Sequence, residues 1–443
     1  MSSTICLNMI VKNETKNLEK LFESIHEVID YYVIHDTGSS DGTPEFIKKM
    51  MNSYDISGEI FHEKWKNFGY NRQKALESAY NSDFNPDYVF IIDADEEFFY
   101  KDKNWFKNLK KDIYNIKRLF GSIEYYQPVI INVRNKNELG WEWKAPVHNY
   151  LSCKFSKTKE NVDKNMVHIK SYCSGGAKSQ NVSNEEKYLR DAKLLLEDLK
   201  ENPNNPRSLF YLAQSYRDAK KPEESIKWYK KRLEVNGWIQ EKYISCYNIG
   251  NLLRQIGKTQ EAFYYYLLSF EYDSSRYECF YEMIKYHRNK GNKKLAYSFY
   301  KQLKPFKENS GKLFLVSSVH NWKLDYEISI IAYYSKAYQE GINAFRRLFK
   351  CKTITINQIA SIIKNFTYYE RFIKEEEKEE IENLRMNFKK YYIKTNLKTP
   401  IVNNKIKTPP EISLEVEHHL KQKKNNNKEE KQGLKLTVTE KIN

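Results

Sequence analysis

The chain has 443 residues, 40% of them hydrophobic, which is long enough for two or three domains with buried cores. Its formal net charge of +16 favours anionic partners such as nucleotides and phosphates. No stretch approaches the roughly 20 consecutive apolar residues of a membrane span, and the six cysteines form no C-x-x-C pair, which argues against a zinc site or a disulfide framework. Because the N-terminus lacks a basic, cleavable leader, we expect a soluble protein of the reducing cytoplasm.

The first 180 residues alternate between short apolar runs and helical patterns. The apolar runs predict strands at 5–11, 32–34, 56–61 and 88–92, and apolar residues at helical spacing predict helices at 18–29 and 70–79. Thr43 can cap a further helix, with Pro44 at its first position. This alternation is typical of a mostly parallel, Rossmann-like α/β sheet with helices on both faces.

Polar clusters follow three of these predicted strands. They lie at 13–14, 36–41 and 93–97. Because ligands of parallel sheets bind at the carboxyl ends of the strands, the three clusters predict one shared site at that edge of the sheet.

From about 186 to 305 the sequence becomes helical and repeats with a period of 34 residues, which is the tetratricopeptide period. Two copies align at four positions each, Gly250, Gly257, Ala262 and Tyr266 with Ile284, Gly291, Ala296 and Tyr300. An earlier copy covers 212–229. Small residues at such positions let paired helices approach closely, so we predict an all-α repeat domain.

The pattern divides the chain into an α/β domain at 1–180, repeats at 186–305, a further helical region at 306–395 and a disordered basic tail at 396–443. The helical region contains a helix pair at about 320–350 and a highly charged stretch at 355–395. The tail is rich in Asn, Lys and Glu and has few aromatic residues, so it cannot bury enough apolar surface to fold.

Asp93 and Asp95 follow the fourth apolar run directly and form a D-x-D motif. Two carboxylates at this spacing suit one hard divalent cation, Mg²⁺ or Mn²⁺, which shares its remaining ligands with phosphates. The motif alone is weak, because acidic turns are common. Its position after a buried strand, with Glu96 and Glu97 behind it, strengthens it, since so much buried negative charge needs a cation.

Four successive segments resemble the landmarks of family 2 glycosyltransferases. They are LNMIVKNE at 7–14, DTGSSDGT at 36–43, NFGYNRQKAL at 67–76 and FIIDADE at 90–96. The resemblance covers about residues 4–180 and implies a GT-A fold, a nucleoside-diphosphate sugar donor, a divalent metal and inversion at the anomeric carbon. With a helical repeat behind it, the chain also looks like the subgroup that includes peptide S-glycosyltransferases.

The resemblance also implies roles for individual residues. Asp36 would meet the nucleobase, Glu14 would also face the nucleotide, and Asp41 is a further candidate for binding it. Asp93 would contact the ribose or the metal, and Asp95 would bind the metal. Arg72 matches an arginine near the donor, and a guanidinium can clamp a diphosphate through paired hydrogen bonds. Alternatively, Arg72 is an ordinary surface residue of a helix.

Residues 141–148 (WEWKAPVH) resemble the later W…VHE segment of the family. His148 would lie beside the sugar or bind the metal, and His168 is a second candidate metal ligand. Either histidine can equally be a packed structural residue. Asn149 stands where an acidic residue is usual, and an amide cannot act as a general base. Glu142 or another carboxylate would have to replace it, unless the enzyme is impaired or uses a thiol acceptor, which ionises more readily.

We therefore expect an inverting, metal-dependent glycosyltransferase acting on a protein, peptide or glycan acceptor. The groove of a tetratricopeptide stack suits an extended peptide, although its aromatic residues can equally be packing core. An alternative is a transferase domain that has lost activity and serves as a protein-binding scaffold. Nucleic-acid binding is not expected, because no finger, RNP or phosphate-loop motif accompanies the basic charge.

Overall fold

The computed structural model of the chain describes residues 2–121, 123–134, 140–155, 158–172, 183–303 and 312–396. The predicted disordered tail lies outside these residues from 397 onwards. No helix in the described part of the chain is long and apolar enough to cross a bilayer.

The N-terminal part is built around a mixed sheet. Its strands are β1 (Ile5–Val11), β2 (Tyr31–Asp36), β3 (Gly58–His62), β4 (Tyr88–Ile91), β5 (Glu96–Tyr100), β6 (Ile113–Phe120), β7 (Ile123–Asn132), β10 (Lys159–Asn161) and β11 (Val167–Ser171). The strand order is β3-β2-β1-β4-β7-β6-β11-β5, and β10 pairs with β6. A separate ribbon joins β8 (Trp141–Lys144) to β9 (Tyr150–Cys153).

The first four strands confirm the predicted parallel sheet. β1 pairs in parallel with both β2 and β4, and β2 pairs in parallel with β3. The connections are helices α1 (Thr15–Ile25), α2 (Thr43–Ser53) and α3 (Phe68–Asn81). β4 is buried along its whole length, as expected for a strand covered on both faces. The carboxyl ends of β1, β2 and β4 therefore meet at one edge.

The second half of the sheet was not predicted from the sequence. β7 runs antiparallel to β4, and β11 runs antiparallel to β5. The register places Ser171 opposite Glu96, so the end of β11 returns to the edge that carries Asp93 and Asp95. β5, β6 and β11 alternate between buried and less buried residues, and β10 has only three residues, so no continuous apolar run marks these four strands.

The C-terminal part is a stack of helices. They are α4 (Asn184–Glu201), α5 (Pro206–Asp218), α6 (Pro222–Glu234), α7 (Ile239–Gln255), α8 (Thr259–Tyr272), α9 (Glu278–Asn289), α10 (Lys293–Tyr300), α11 (Leu324–Tyr334), α12 (Tyr338–Lys350), α13 (Ile356–Thr367) and α14 (Glu375–Asn396). From α4 to α12, each helix packs against the next one along the chain.

The repeat predicted from the 34-residue period is present. Gly257 and Gly291 both lie in the turn between two helices, with φ of +82° and +81°. Ala262 and Ala296 are fully buried at equivalent points of α8 and α10. α11 and α12 form the helix pair predicted after the repeats, and the charged stretch that follows is helical through α13 and α14.

Gly250 marks a close approach of two helices in the stack. A Cβ atom there would lie 2.5 Å from Cε1 of Tyr266, a buried ring of α8. We expect Gly250→Ala to destabilise the protein by about 2 kcal/mol, since the clash outweighs the higher helix propensity of alanine. Urea unfolding measures the effect, with Ser298→Ala on the exposed side of α10 as the control. An increase in stability would show that the helices have room for a methyl group.

Candidate active site

Asp36 ends β2 with a buried carboxylate. The carboxylate accepts hydrogen bonds from the backbone nitrogens of Ser39, at 3.2 Å, and Gly38, at 3.3 Å, and it lies 3.3 Å from Nδ1 of His62. It borders a cleft of about 480 Å³ at the ends of the parallel strands, lined by Lys12, Asp36, Thr37, Gly38, His62, Glu63, Lys64 and Trp65. His62 and Trp65 were not predicted from the sequence, although both follow a predicted strand.

Asp41 is used within the loop that follows β2. Its carboxylate accepts hydrogen bonds from Oγ1 of Thr43 at 2.5 Å and from Oγ1 of Thr15 at 2.9 Å. Although partial burial opposes it, these bonds hold the pKa of Asp41 below its usual range. Asp41 is not among the residues that line the cleft. It ties the loop to the start of α1, so the structure favours a supporting role over the predicted contact with the nucleotide.

Arg72 joins three parts of the fold. It projects from α3, and its Nη2 donates to Oδ1 of Asp93 at 2.5 Å. Its Nη1 donates to Oδ1 of Asn149 at 3.1 Å, and the guanidinium lies 5.0 Å from the ring centroid of Trp143. Because a guanidinium only donates, the oxygen of the Asn149 amide must face it. The Nδ2 of Asn149 is buried and has no hydrogen-bond partner among the described residues.

Glu14, Asp93 and Asp95 share one electrostatic environment. Burial raises the pKa of Glu14 to about 7, and the charges of Asp95 and Asp93 add to this rise, although Asn17 donates a hydrogen bond that opposes it. Burial and the neighbouring charges of Asp93 and Glu96 also raise the pKa of Asp95. Despite its own desolvation, Asp93 has a lowered pKa because Arg72 and Arg118 are close. Of these three carboxylates, Asp93 is the one paired directly with an arginine among the described residues.

The two glutamates behind the D-x-D motif are already paired. Glu96 is buried against Arg118 of β6 and also accepts a hydrogen bond from Oγ of Ser171 at 2.5 Å. Glu97 lies 2.9 Å from Nζ of Lys20 and accepts from the hydroxyl of Tyr172. The expectation that the whole acidic cluster requires a cation is therefore wrong for Glu96 and Glu97, since protein cations neutralise them.

His168 is not brought to the D-x-D motif. It pairs with Phe99 across β11 and β5, stacks on the Phe99 ring with centroids 4.8 Å apart, and its Nδ1 lies 3.0 Å from the carbonyl oxygen of Lys164. Tyr172, four residues after His168 and just beyond β11, is the residue that meets Asp95: its backbone nitrogen donates to the carbonyl oxygen of Asp95 at 3.2 Å. In the described residues, no group of three or more His, Cys, Asp or Glu side chains is arranged to hold a metal ion. The structure thus gives no support to His168 as a third ligand.

His148 lies where the sheet meets the helical stack. Its backbone is left-handed with φ of 49°, and its ring stacks on Tyr211 of α5 with centroids 4.0 Å apart. Glu142 alternates with Trp143 along β8, so its side chain lies on the face away from Arg72, where it pairs with Lys144. Glu142 is therefore not placed to replace the acid missing at position 149.

Part of the chain matches a known protein family, and the chain resembles several known proteins over part of its length. Residues 6–175 match the family model for glycosyl transferase family 2. The chain is 27% identical over 236 residues to the SPbeta prophage-derived glycosyltransferase SunS of Bacillus subtilis strain 168, covering 52% of this chain and 53% of SunS. The chain thus spans about half the length of the curated relatives it matches. It is also 29% identical over 94 residues to a TPR repeat-containing protein of Synechococcus elongatus, covering 21% of each.

Two solved structures are similar in part. The C-terminal part of a TPR repeat-containing protein from Cytophaga hutchinsonii is 18% identical, with 48% of this chain and 76% of that chain covered and a TM-score of 0.33. Residues 1–349 of TarS from S. aureus are 12% identical, with 62% of this chain and 93% of that chain covered and a TM-score of 0.32.

Proposed function

We propose, from the premise that residues 6–175 are a glycosyltransferase family 2 domain, that the chain transfers a sugar from a nucleoside-diphosphate sugar to a protein, peptide or glycan. The transfer inverts the configuration at the anomeric carbon. The observation that carries the proposal is Arg72, held by Asp93 and Asn149 at the carboxyl end of β4. A guanidinium fixed at that edge suits a departing diphosphate. The domain limits 1–180, 186–305 and 306–395 are part of the same proposal.

The nucleoside would occupy the cleft beside Asp36. The buried Asp36 carboxylate is a strong acceptor for an N–H of the base, and it is already oriented by two backbone donors. The rings of His62 and Trp65 line the same cleft and offer surfaces for stacking. Lys12, also in the lining, places a positive charge where the phosphates would begin.

Asp95 and Asp93 fit a divalent cation that shares its ligands with the substrate. Burial raises the pKa values of Asp95 and Glu14, and the charges of neighbouring carboxylates raise them further, which supports the proposal of a cation bound here. Mg²⁺ and Mn²⁺ commonly take only one or two carboxylates from the protein and the rest from phosphates and water. When bound, such a cation would supply charge neutralisation for the diphosphate.

The reaction would be one in-line displacement. The acceptor nucleophile attacks the anomeric carbon on one face, and the bond to the diphosphate oxygen breaks on the other, while Arg72 stabilises the departing charge. Asn149 orients Arg72 and cannot take the acceptor proton. A thiol acceptor fits this arrangement better than a hydroxyl, because a thiol ionises closer to neutral pH.

A screen of nucleotide sugars tests the proposal. The intact protein is incubated with each donor, with and without Mn²⁺, and released nucleotide is measured. We expect slow hydrolysis of at least one donor, stimulated by the metal, and faster turnover when a cysteine-containing peptide is added than with its serine counterpart. Failure to turn over any donor, with Mn²⁺ present or absent, would overturn the proposal.

A second candidate function is a protein-binding scaffold with an impaired transferase domain. The observation that favours it is Asn149, whose amide replaces the usual acid and is occupied by Arg72. Thermal unfolding with nucleotide sugar and Mn²⁺ separates the two functions. An increase in Tm that requires the metal favours the enzyme, because a ligand that binds only the folded state stabilises it, and an unchanged Tm favours the scaffold.

A further inference from the structure

The loop between β8 and β9 places Asn149 beside Arg72, and two of its residues have an unfavourable backbone conformation. Ala145 has φ of 71° and His148 has φ of 49°, a region that residues with a Cβ seldom adopt. Such residues persist only where their surroundings hold them in place. The position of Asn149 therefore depends on the contacts that hold this loop.

On the sheet side, α3 holds the first half of the loop. The backbone nitrogen of Phe68 donates to the carbonyl oxygen of Pro146 at 3.1 Å. Gly69 allows a close approach, because a Cβ atom there would lie 2.4 Å from the carbonyl oxygen of Ala145. These contacts end before His148.

The helical stack holds the second half through Arg207, near the start of α5. Its Nη2 and Nε donate to the carbonyl oxygen of His148 at 2.8 and 3.2 Å. The guanidinium lies 4.6 Å from the ring centroid of Tyr150 and 4.8 Å from that of Tyr211, which also stacks on the His148 ring. Arg207 thus fixes the peptide group that joins His148 to Asn149.

Val147 also anchors the loop to the helical stack. Its side chain is buried and belongs to the hydrophobic core of the helical stack, although the residue lies in the loop of the α/β part. The loop is therefore shared between the two parts of the protein. A shift of α5 would move the backbone of His148, and the amide that meets Arg72 belongs to the next residue.

We infer that Arg207 is a positioning residue of the transferase, through which the first repeat holds Asn149 and Arg72 in place for the departing diphosphate. This inference rests on the proposed function. It assigns the repeats a part in the chemical step, besides any part in binding an acceptor. Arg207 touches no reacting atom and acts through the backbone of His148.

Steady-state donor hydrolysis by the full chain tests the inference. Arg207→Ala is expected to lower kcat at least about tenfold and to change the donor KM much less, since misplacing a catalytic group mainly affects the transition state. Arg207→Lys, which keeps a charge and one donor, should recover part of this loss. Arg217→Ala is the matched control, because Arg217 lies on the same helix and pairs with Asp218. It should leave turnover within about twofold of the wild type.

A double-mutant cycle separates positioning from general damage to the fold. If Arg207 acts through Asn149, adding Arg207→Ala to Asn149→Ala should cause no further loss of kcat, whereas independent effects would multiply. Hydrogen exchange should also increase in the 141–150 segment and not in the parallel strands. Multiplying losses, or an Arg207→Ala variant that behaves like Arg217→Ala, would overturn the inference alone. A wild-type chain without any donor turnover would overturn the proposed function and this inference with it.

Discussion

Replacing Asp95 by asparagine is expected to lower metal-stimulated donor turnover by at least about 100-fold, the scale on which a single group that stabilises transition-state charge contributes. The side chain keeps its size, but it loses the charge that would hold a divalent cation with Asp93. Because Asp95 carries a raised pKa from burial and from Asp93 and Glu96, its removal also relieves repulsion in the free protein. We therefore expect the variant to be at least as stable as the wild type in the absence of metal.

Three measurements check this expectation. They are donor turnover against Mn²⁺ concentration, Mn²⁺ affinity by calorimetry, and Tm without metal. Asp83→Asn is the matched control, because Asp83 is an exposed carboxylate before β4, at the end of the strand opposite to Asp95. It should change none of the three. If Asp95→Asn kept both turnover and manganese affinity, the charge-based account of the site would be wrong.

Replacing Arg72 by lysine is expected to lower kcat/KM for the donor by about 100-fold, with most of the effect on kcat. Lysine keeps the positive charge, but it cannot contact Asp93 and Asn149 together while lying over Trp143. Arg72→Ala should lose more, since Asp93 would then remain partly buried without the partner that lowers its pKa.

Arg134→Lys is the control for this experiment. Arg134 pairs with Asp87 at 2.5 Å, the same distance as Arg72 to Asp93. This pair lies at the amino end of β4, whereas Arg72 and Asp93 meet at its carboxyl end. Loss of the Arg134 pair should leave donor turnover unchanged. If Arg72→Lys had the activity of Arg134→Lys, Arg72 would be a structural residue of α3 and the proposed clamp on the diphosphate would fail.

The outline of the fold could be predicted because its signals are local. β1 and β4 are largely apolar runs, and the 34-residue repeat places a glycine in the equivalent turn of two successive repeats. The candidate site could be located in part for the same reason. Asp36 ends β2 and Asp93 comes shortly after β4, and parallel strands bring their carboxyl ends to one edge of the sheet.

Only the tertiary structure decided how the charges of the site are paired. Glu96 and Glu97 looked like part of a cation site, but Arg118 and Lys20 neutralise them. His168 looked like a metal ligand, but the register of β11 places it opposite Phe99. A shift of register would change each of these pairs, and the short, alternating strands that set the register have weak local signals.

The sequence by itself determined that this chain has an α/β part with acidic residues at a sheet edge, followed by helical repeats. These features could be predicted because the periodic spacing of apolar residues, which reflects burial, involves residues close together in the chain. The sequence did not determine which side chains meet there. Arg72 meets Asn149 across 77 residues, and Arg207 meets His148 across 59. Such contacts depend on how helices and sheet pack together, and that packing is settled by the whole fold.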